Sequence, residues 1–199
     1  MARSLLIFLS SLALAVLVVP VIEHAASTPT PLAPDAGATT TAMGDAHFEE
    51  RLPDPTDNPA RLIMPSIQLD TSVIEVGVTA TGEMDVPDGK TKNVGWYRYG
   101  TVPGDRGSAV MDAHVYAAFN KLRNVKIGDD IYVVNMRGEK LHFRVTDSRV
   151  YEYDKLPLEY IFANSDGRHL NFITCARKFI PSINTYSHRL VVYTELVED

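Results

Sequence analysis

Short alternations of apolar and polar residues begin near residue 61 and run almost to the end of the chain; the first sixty residues contain none. Residues 62–67 and 71–76 read as two strands joined by a polar turn. Residues 82–87 read as a turn and a short strand, which Pro87 keeps at an edge. Residues 107–112 form a short apolar strand that runs into His114. Residues 117–122 carry the best helical turn. Residues 131–135 and 141–146 form a hairpin across Arg137 and Gly138, and residues 148–151 continue its second strand. Residues 156–162 read as a short helix, and 170–174 and 190–196 as the last two strands. About eight short strands with one or two helical pieces predict an all-β closed barrel. A two-sheet sandwich is the alternative that the pattern alone leaves open.

The first sixty residues divide in two. Leu5 to Ile22 is an uncharged stretch behind Arg3. As a helix it would span roughly 27 Å, close to the apolar thickness of a bilayer. Residues 1–22 therefore read as an N-terminal transmembrane anchor with the rest of the chain outside the cytoplasm. The alternative is a cleaved signal peptide with Ala25-Ala-Ser27 as its small-residue site, but such peptides have shorter apolar cores. Residues 23–60 are rich in Thr, Pro and Ala and lack apolar periodicity, so they read as a disordered linker. As a flexible coil the linker would span roughly 34 Å. The folded domain is then 61–199.

Composition narrows the function. The formal net charge is −6, and no basic stripe of the kind nucleic acid requires is present. No His or Cys pairing has zinc-ligand spacing, and nothing calls for a cofactor. Cys175 is the one cysteine, so no internal disulfide forms. It ends the run His169-Leu-Asn-Phe-Ile-Thr-Cys175, 61 residues after His114 and 14 before Arg189. On spacing alone two readings stand. One is a nucleophile with a base and an anion-stabilising partner. The other is a small buried hydrophobe.

Gly82-Glu-Met-Asp-Val-Pro87, Val94-Gly-Trp-Tyr97 and Pro103-Gly-Asp-Arg-Gly-Ser-Ala-Val110 precede His114. Phe119-Asn-Lys-Leu122, Val125-Lys-Ile-Gly-Asp129, Thr174-Cys175 and Arg189 follow in order. In this combination the chain resembles the sortases, membrane-anchored cysteine transpeptidases with an eight-stranded barrel. The wording is most similar to classes E and F. The resemblance implies that Cys175 is the nucleophile, His114 the general acid/base and Arg189 the stabiliser of substrate or oxyanion; Thr174, just before the nucleophile, is expected to help orient the substrate through its hydroxyl or its backbone. It also implies an LPxTG-like sorting signal and an amine acceptor in the cell wall or on a pilin lysine. Ala113 stands where the family usually has Gly, and Arg177 and Lys178 follow Cys175 where small residues are common. Those two cations are expected to favour the thiolate. Asp112 offers a further group to tune or orient a neighbour.

Two other functions fit parts of the sequence. A cell-wall L,D-transpeptidase is also secreted and Cys/His-dependent, but its Ser-x-Gly-Cys-x-Arg run meets Phe172-Ile-Thr-Cys-Ala-Arg177 here, where only the Arg matches. A non-catalytic, membrane-tethered barrel that binds a partner would keep Cys175 buried and inert. His24 and His47 fall in the linker; His142, His169 and His188 read as structural.

Overall fold

A computed structural model describes residues 54–198. The anchor and nearly all of the linker read from the sequence lie outside the described residues. No helix among the described residues is long and apolar enough to cross a membrane. Ordered chain begins before residue 61: a 3-10 turn spans Pro55–Asp57 and the first strand starts at Pro59. Asp54 caps that turn by accepting from the Thr56 backbone N–H at 2.9 Å. The last residues assigned to the linker are therefore part of the fold.

Eight strands follow: β1 Pro59–Met64, β2 Leu69–Val76, β3 Val94–Tyr97, β4 Gly107–Asp112, β5 Asp130–Asn135, β6 Lys140–Glu152, β7 Arg168–Ile180 and β8 Thr185–Leu196. They close into a barrel in the order β1-β2-β3-β4-β7-β8-β6-β5. Closure leaves no unpaired edge. β2–β3 and β4–β7 pair in parallel and the other neighbours antiparallel. The closed barrel settles the choice between barrel and sandwich.

Alternation puts Ile131, Val133, Phe143, Val145, Leu170, Phe172, Leu190 and Val192 inside with Trp96 and Met111. Trp96 satisfies its indole N–H on the Thr101 carbonyl at 3.1 Å. β4 is buried along its whole length. Ala109 and Met111 face the barrel interior, while Val110 faces outward into a second cluster with Ile161, Val191 and Tyr193. Ile161 comes from α1, Leu158–Phe162, which lies over β4. A strand covered on both faces loses its polar alternation, as Ala109-Val-Met111 does.

Two sequence expectations are corrected. Residues 82–87 hold no strand, only a bridge between Val78 and Met84. The eighth strand is instead β3. Residues 117–122 form turns that lead into a 3-10 turn at Leu122–Asn124, not an α-helix. Buried Phe119 and Leu122 anchor that segment in the core.

Candidate active site

The outer face of β4, β7 and β8 carries the chemistry-bearing residues. Strand alternation puts Asn171, Ile173 and Cys175 on this face of β7, and Tyr193, Val191 and Arg189 on this face of β8. Cys175 and Arg189 are direct partners in the antiparallel register. Such partners share a face with Cβ atoms about 5 Å apart. In the parallel pair, Asp112 stands beside Ile173. Two residues further along each strand direction are His114 and Cys175. Cys175 and Arg189 are thus cross-strand partners, and the Thr174–Ala113 hydrogen bond brings the chain just before His114 against the residue preceding Cys175, although 75 positions separate His114 from Arg189.

His114 follows β4 in a turn held by its own carbonyl, which accepts from Ala117 N at 3.0 Å and Phe119 N at 3.3 Å. Its ring stacks on Tyr116, with centroids 4.8 Å apart and planes 13° apart. The β2–β3 loop closes over this pair. A Cβ on Gly89 would run into the Tyr116 hydroxyl and sit 3.0 Å from His114 Cδ2. Glycine is what lets the loop lie against the imidazole.

The Thr174 hydroxyl is buried and donates to the Ala113 carbonyl at 2.7 Å. It ties β7 to the residue preceding His114.

Arg189 is fastened to its own strand end. Nη1 donates to the carbonyls of Tyr186 at 2.9 Å and His188 at 3.1 Å, and Nη2 donates to Thr185 Oγ1 at 2.8 Å. A guanidinium has five donors, so Nε–H and one Nη2 hydrogen remain for another acceptor.

Cys175 is half-buried. Burial pushes its thiol above the ordinary value, Arg189 pulls it down, and Asp112 pushes it up. Burial dominates. The expectation that Arg177 and Lys178 favour the thiolate is corrected: both are exposed, and the cation that acts on the thiol is Arg189. The chain turns aside just beyond Cys175. Arg177 has φ 63°, and the β7–β8 register slips between Ala176 and Phe179. A left-handed arginine at a bulge is a strained choice next to the site.

Asp112 is 8% exposed, and its Oδ1 has no hydrogen-bond partner. Burial first, and Asp85 second, push its carboxyl up to about 8. Among the described residues the other histidines bond to neighbours of their own. His169 bonds Asp166 at 2.7 Å at the opposite end of β7, His142 bonds Asp130 at 2.7 Å, and His188 pairs with Ser187 at 2.8 Å. Among the described residues no three His, Cys, Asp or Glu side chains converge as metal ligands would. Sequence reasoning missed Tyr116 and Gly89, whose stacking and close approach leave no periodic signal. It raised Asp112 without seeing its burial.

The family model described as the Sortase domain matches residues 62–197. The chain belongs to the sortase family. Among solved structures it is similar to a sortase D5 transpeptidase of Clostridium perfringens, with 16% identity and a TM-score of 0.55, covering 71% of this chain and 79% of that one. It is similar to sortase C-1 of Actinomyces oris, with 25% identity and a TM-score of 0.54, covering 73% and 74%. Sortase A of Corynebacterium diphtheriae matches at 21% identity with a TM-score of 0.53, covering 71% and 61%. No curated protein matches the chain. The sortase barrel is thus shared with structures whose sequences have diverged widely, and sortases as a family are cysteine transpeptidases.

Proposed function

We propose that this sortase cleaves an LPxTG-like sorting signal through a Cys175 thioester and transfers the acyl group to an amine, in a cell-wall precursor or on a pilin lysine. The observation that carries the reading is the cross-strand pairing of Cys175 with Arg189, next to the Thr174–Ala113 bond that holds the start of the His114 turn. The Cys175 thiolate attacks the scissile carbonyl, and the two free donors of Arg189 take the developing oxyanion. The C–N bond breaks as His114 gives its proton to the leaving amine. The acceptor amine then attacks the thioester, its proton passes to His114, and the thiolate leaves. Thr174 acts on this sequence by holding Ala113, and so the start of the His114 turn. The class E or F placement belongs to the same reading and is supported by the Gly95-Trp-Tyr97 and Pro103-Gly104 stretches.

In this reading residues 1–22 anchor the protein in the cell membrane by a single pass, and 23–53 set the barrel off on the outer side. Tethering enzyme and substrate to one surface raises their effective concentration. N-terminal sequencing of native protein checks it: a mature chain recovered from the medium, beginning after Ala26 or Ser27, would defeat the anchor.

The chemistry is tested by incubating the protein with LPxTG peptides and weighing it. An acyl adduct on Cys175 that is lost on adding hydroxylamine or an amine acceptor is expected. No adduct, together with a thiol that alkylates no faster than a buried one, would favour a non-catalytic barrel. Turnover of peptidoglycan stem peptides instead would favour an L,D-transpeptidase.

A further inference from the structure

The acid at the end of β4 has no role in the steps above, yet it occupies an unusual position. Asp112 points to the same outer face as Cys175 and Arg189, beside Ile173 on β7 and opposite Gly95 on β3. Its surroundings are made to fit a carboxyl and little else. A Cβ on Gly95 would come 2.8 Å from Asp112 Oδ1, 2.8 Å from Val76 Cγ1 and 3.0 Å from Pro87 Cδ. The glycine opens the space, and the β2–β3 loop closes it through buried Pro87. The orphaned Oδ1 lies inside. A buried polar atom without a partner costs about 1–3 kcal/mol, so a bland side chain would serve the fold better.

The groups around it explain what the acid can do. On the strand's own continuation is His114. β7 brings Cys175, and β8 brings Arg189. The β2–β3 loop brings Asp85, whose negative charge opposes ionisation of Asp112. β3 brings Gly95 at this point and Tyr97 one step further along the face. Asp112 in turn opposes ionisation of Cys175, while Arg189 favours it. A charged carboxylate here would therefore compete with the thiolate and offset the guanidinium. An uncharged one leaves Arg189 as the dominant field on the sulfur.

We propose that Asp112 is a positioning residue of the active site, an uncharged acid kept in a glycine-built recess, whose ionisation suppresses the Cys175 thiolate. It sets the charge under which the nucleophile forms and touches neither substrate nor acyl group. The catalytic meaning rests on the reading of Cys175 as nucleophile. The coupling between the two groups does not.

The test is a thiolate titration of the full chain in neutral detergent, read by ultraviolet absorbance as the difference from Cys175→Ala. In Asp112→Asn, above about pH 8, the thiolate fraction should exceed that of the parent protein by about threefold at equal pH, the size expected for two unit charges a few ångströms beyond contact in a polar surround. Superimposable curves, or less thiolate in the variant, would overturn the proposal. A second measurement is independent of that variant's folding. One aspartate carboxyl should titrate well above the ordinary carboxylate range in the parent protein and also in Cys175→Ala, because the thiol is still neutral where this acid ionises. Carboxyl ¹³C signals of labelled aspartate read this directly. The absence of any aspartate titrating above the ordinary carboxylate range would also overturn it. Neither readout uses a substrate, so failure of the transpeptidase reading leaves both results standing. If both readings hold, Asp112→Asn extends peptide turnover toward alkaline pH.

Discussion

The β1–β5–β6 side of the barrel and the outer face of β4–β7–β8 are made from the same kinds of residues and treat polar groups in opposite ways. On the first, charges are exposed and partnered. Arg61 forks onto both Asp70 oxygens at 2.6 Å, and Asp130 holds His142 at 2.7 Å and Arg144 at 3.1 Å. Lys140 caps the Tyr132 ring at 3.8 Å. On the second, Asp112 is buried with an unpartnered oxygen, Arg189 spends three donors on its own strand end, and Arg177 takes a left-handed backbone. Local rules are obeyed on one side and broken on the other. The broken ones gather around the lone cysteine, as expected where a fold carries chemistry at some cost to stability.

The largest expected effects are on turnover, and all belong to the second face. Cys175→Ala should abolish product while the unfolding midpoint stays near the parent value, because the side chain is small and half-buried. His114→Ala should lose about 10²–10⁴-fold in kcat, and Arg189→Ala about 10²–10³-fold if its free donors meet an oxyanion. Steady-state kinetics with a fluorogenic LPxTG peptide reads all three. Activity retained without the sulfur would remove the chemical meaning of the contrast between faces.

Next in size is a steric test of the recess. Gly95→Ala adds a methyl where Val76 Cγ1 and Asp112 Oδ1 leave 2.8 Å. Overpacking of this kind costs about 1–3 kcal/mol, read as a lower urea midpoint with an unchanged slope. A neutral result would mean the face is looser than its burial implies.

Which parts of this contrast are legible in the sequence follows from physics. β5 alternates cleanly between buried and half-buried positions, and β4 carries the short apolar run Ala109-Val-Met111, so both can be read from the chain. β3 is four residues with a glycine in it and three of them buried, which leaves no alternation to see. Residues 175–189 of the β7–β8 hairpin extend well beyond the apolar runs at 170–174 and 190–196. Their bulge at Arg177 shifts the period. His114, Cys175 and Arg189 could be picked out by residue type and order. The burial of Asp112 and the partner of Thr174 could not, because both depend on the register between strands distant in sequence.

A pH-dependent effect separates the two faces in a different way. The Asp112 carboxyl is pushed up to about 8 from 3.8. Across that interval the folded protein keeps a proton that the unfolded chain has released. Stability therefore falls as pH rises from about 4 to about 8, because the native state binds more protons. Asp112→Asn should flatten this slope. Urea midpoints at several pH values give the comparison, and the variant should gain on the parent protein steadily toward alkaline pH. An identical slope in both proteins would show that Asp112 ionises normally and would erase the main electrostatic difference between the faces.

The smallest effect is expected on the regular side. Asp70 is lowered by its hydrogen bonds from Arg61, opposed by slight desolvation. Its sign is the reverse of Asp112: the contribution is present above the unfolded carboxylate value and lost as pH falls through the lower folded one. Both partners are half-exposed or more, so solvent and salt screen the pair, and exposed pairs contribute little even with good geometry. Asp70→Asn should leave the urea midpoint at pH 7 within error of the parent value, and any small difference should vanish on acidification or in added salt. A loss as large as that of Gly95→Ala would show that a partnered surface charge matters as much as the packing around a buried one, and the distinction between the two faces would then fail.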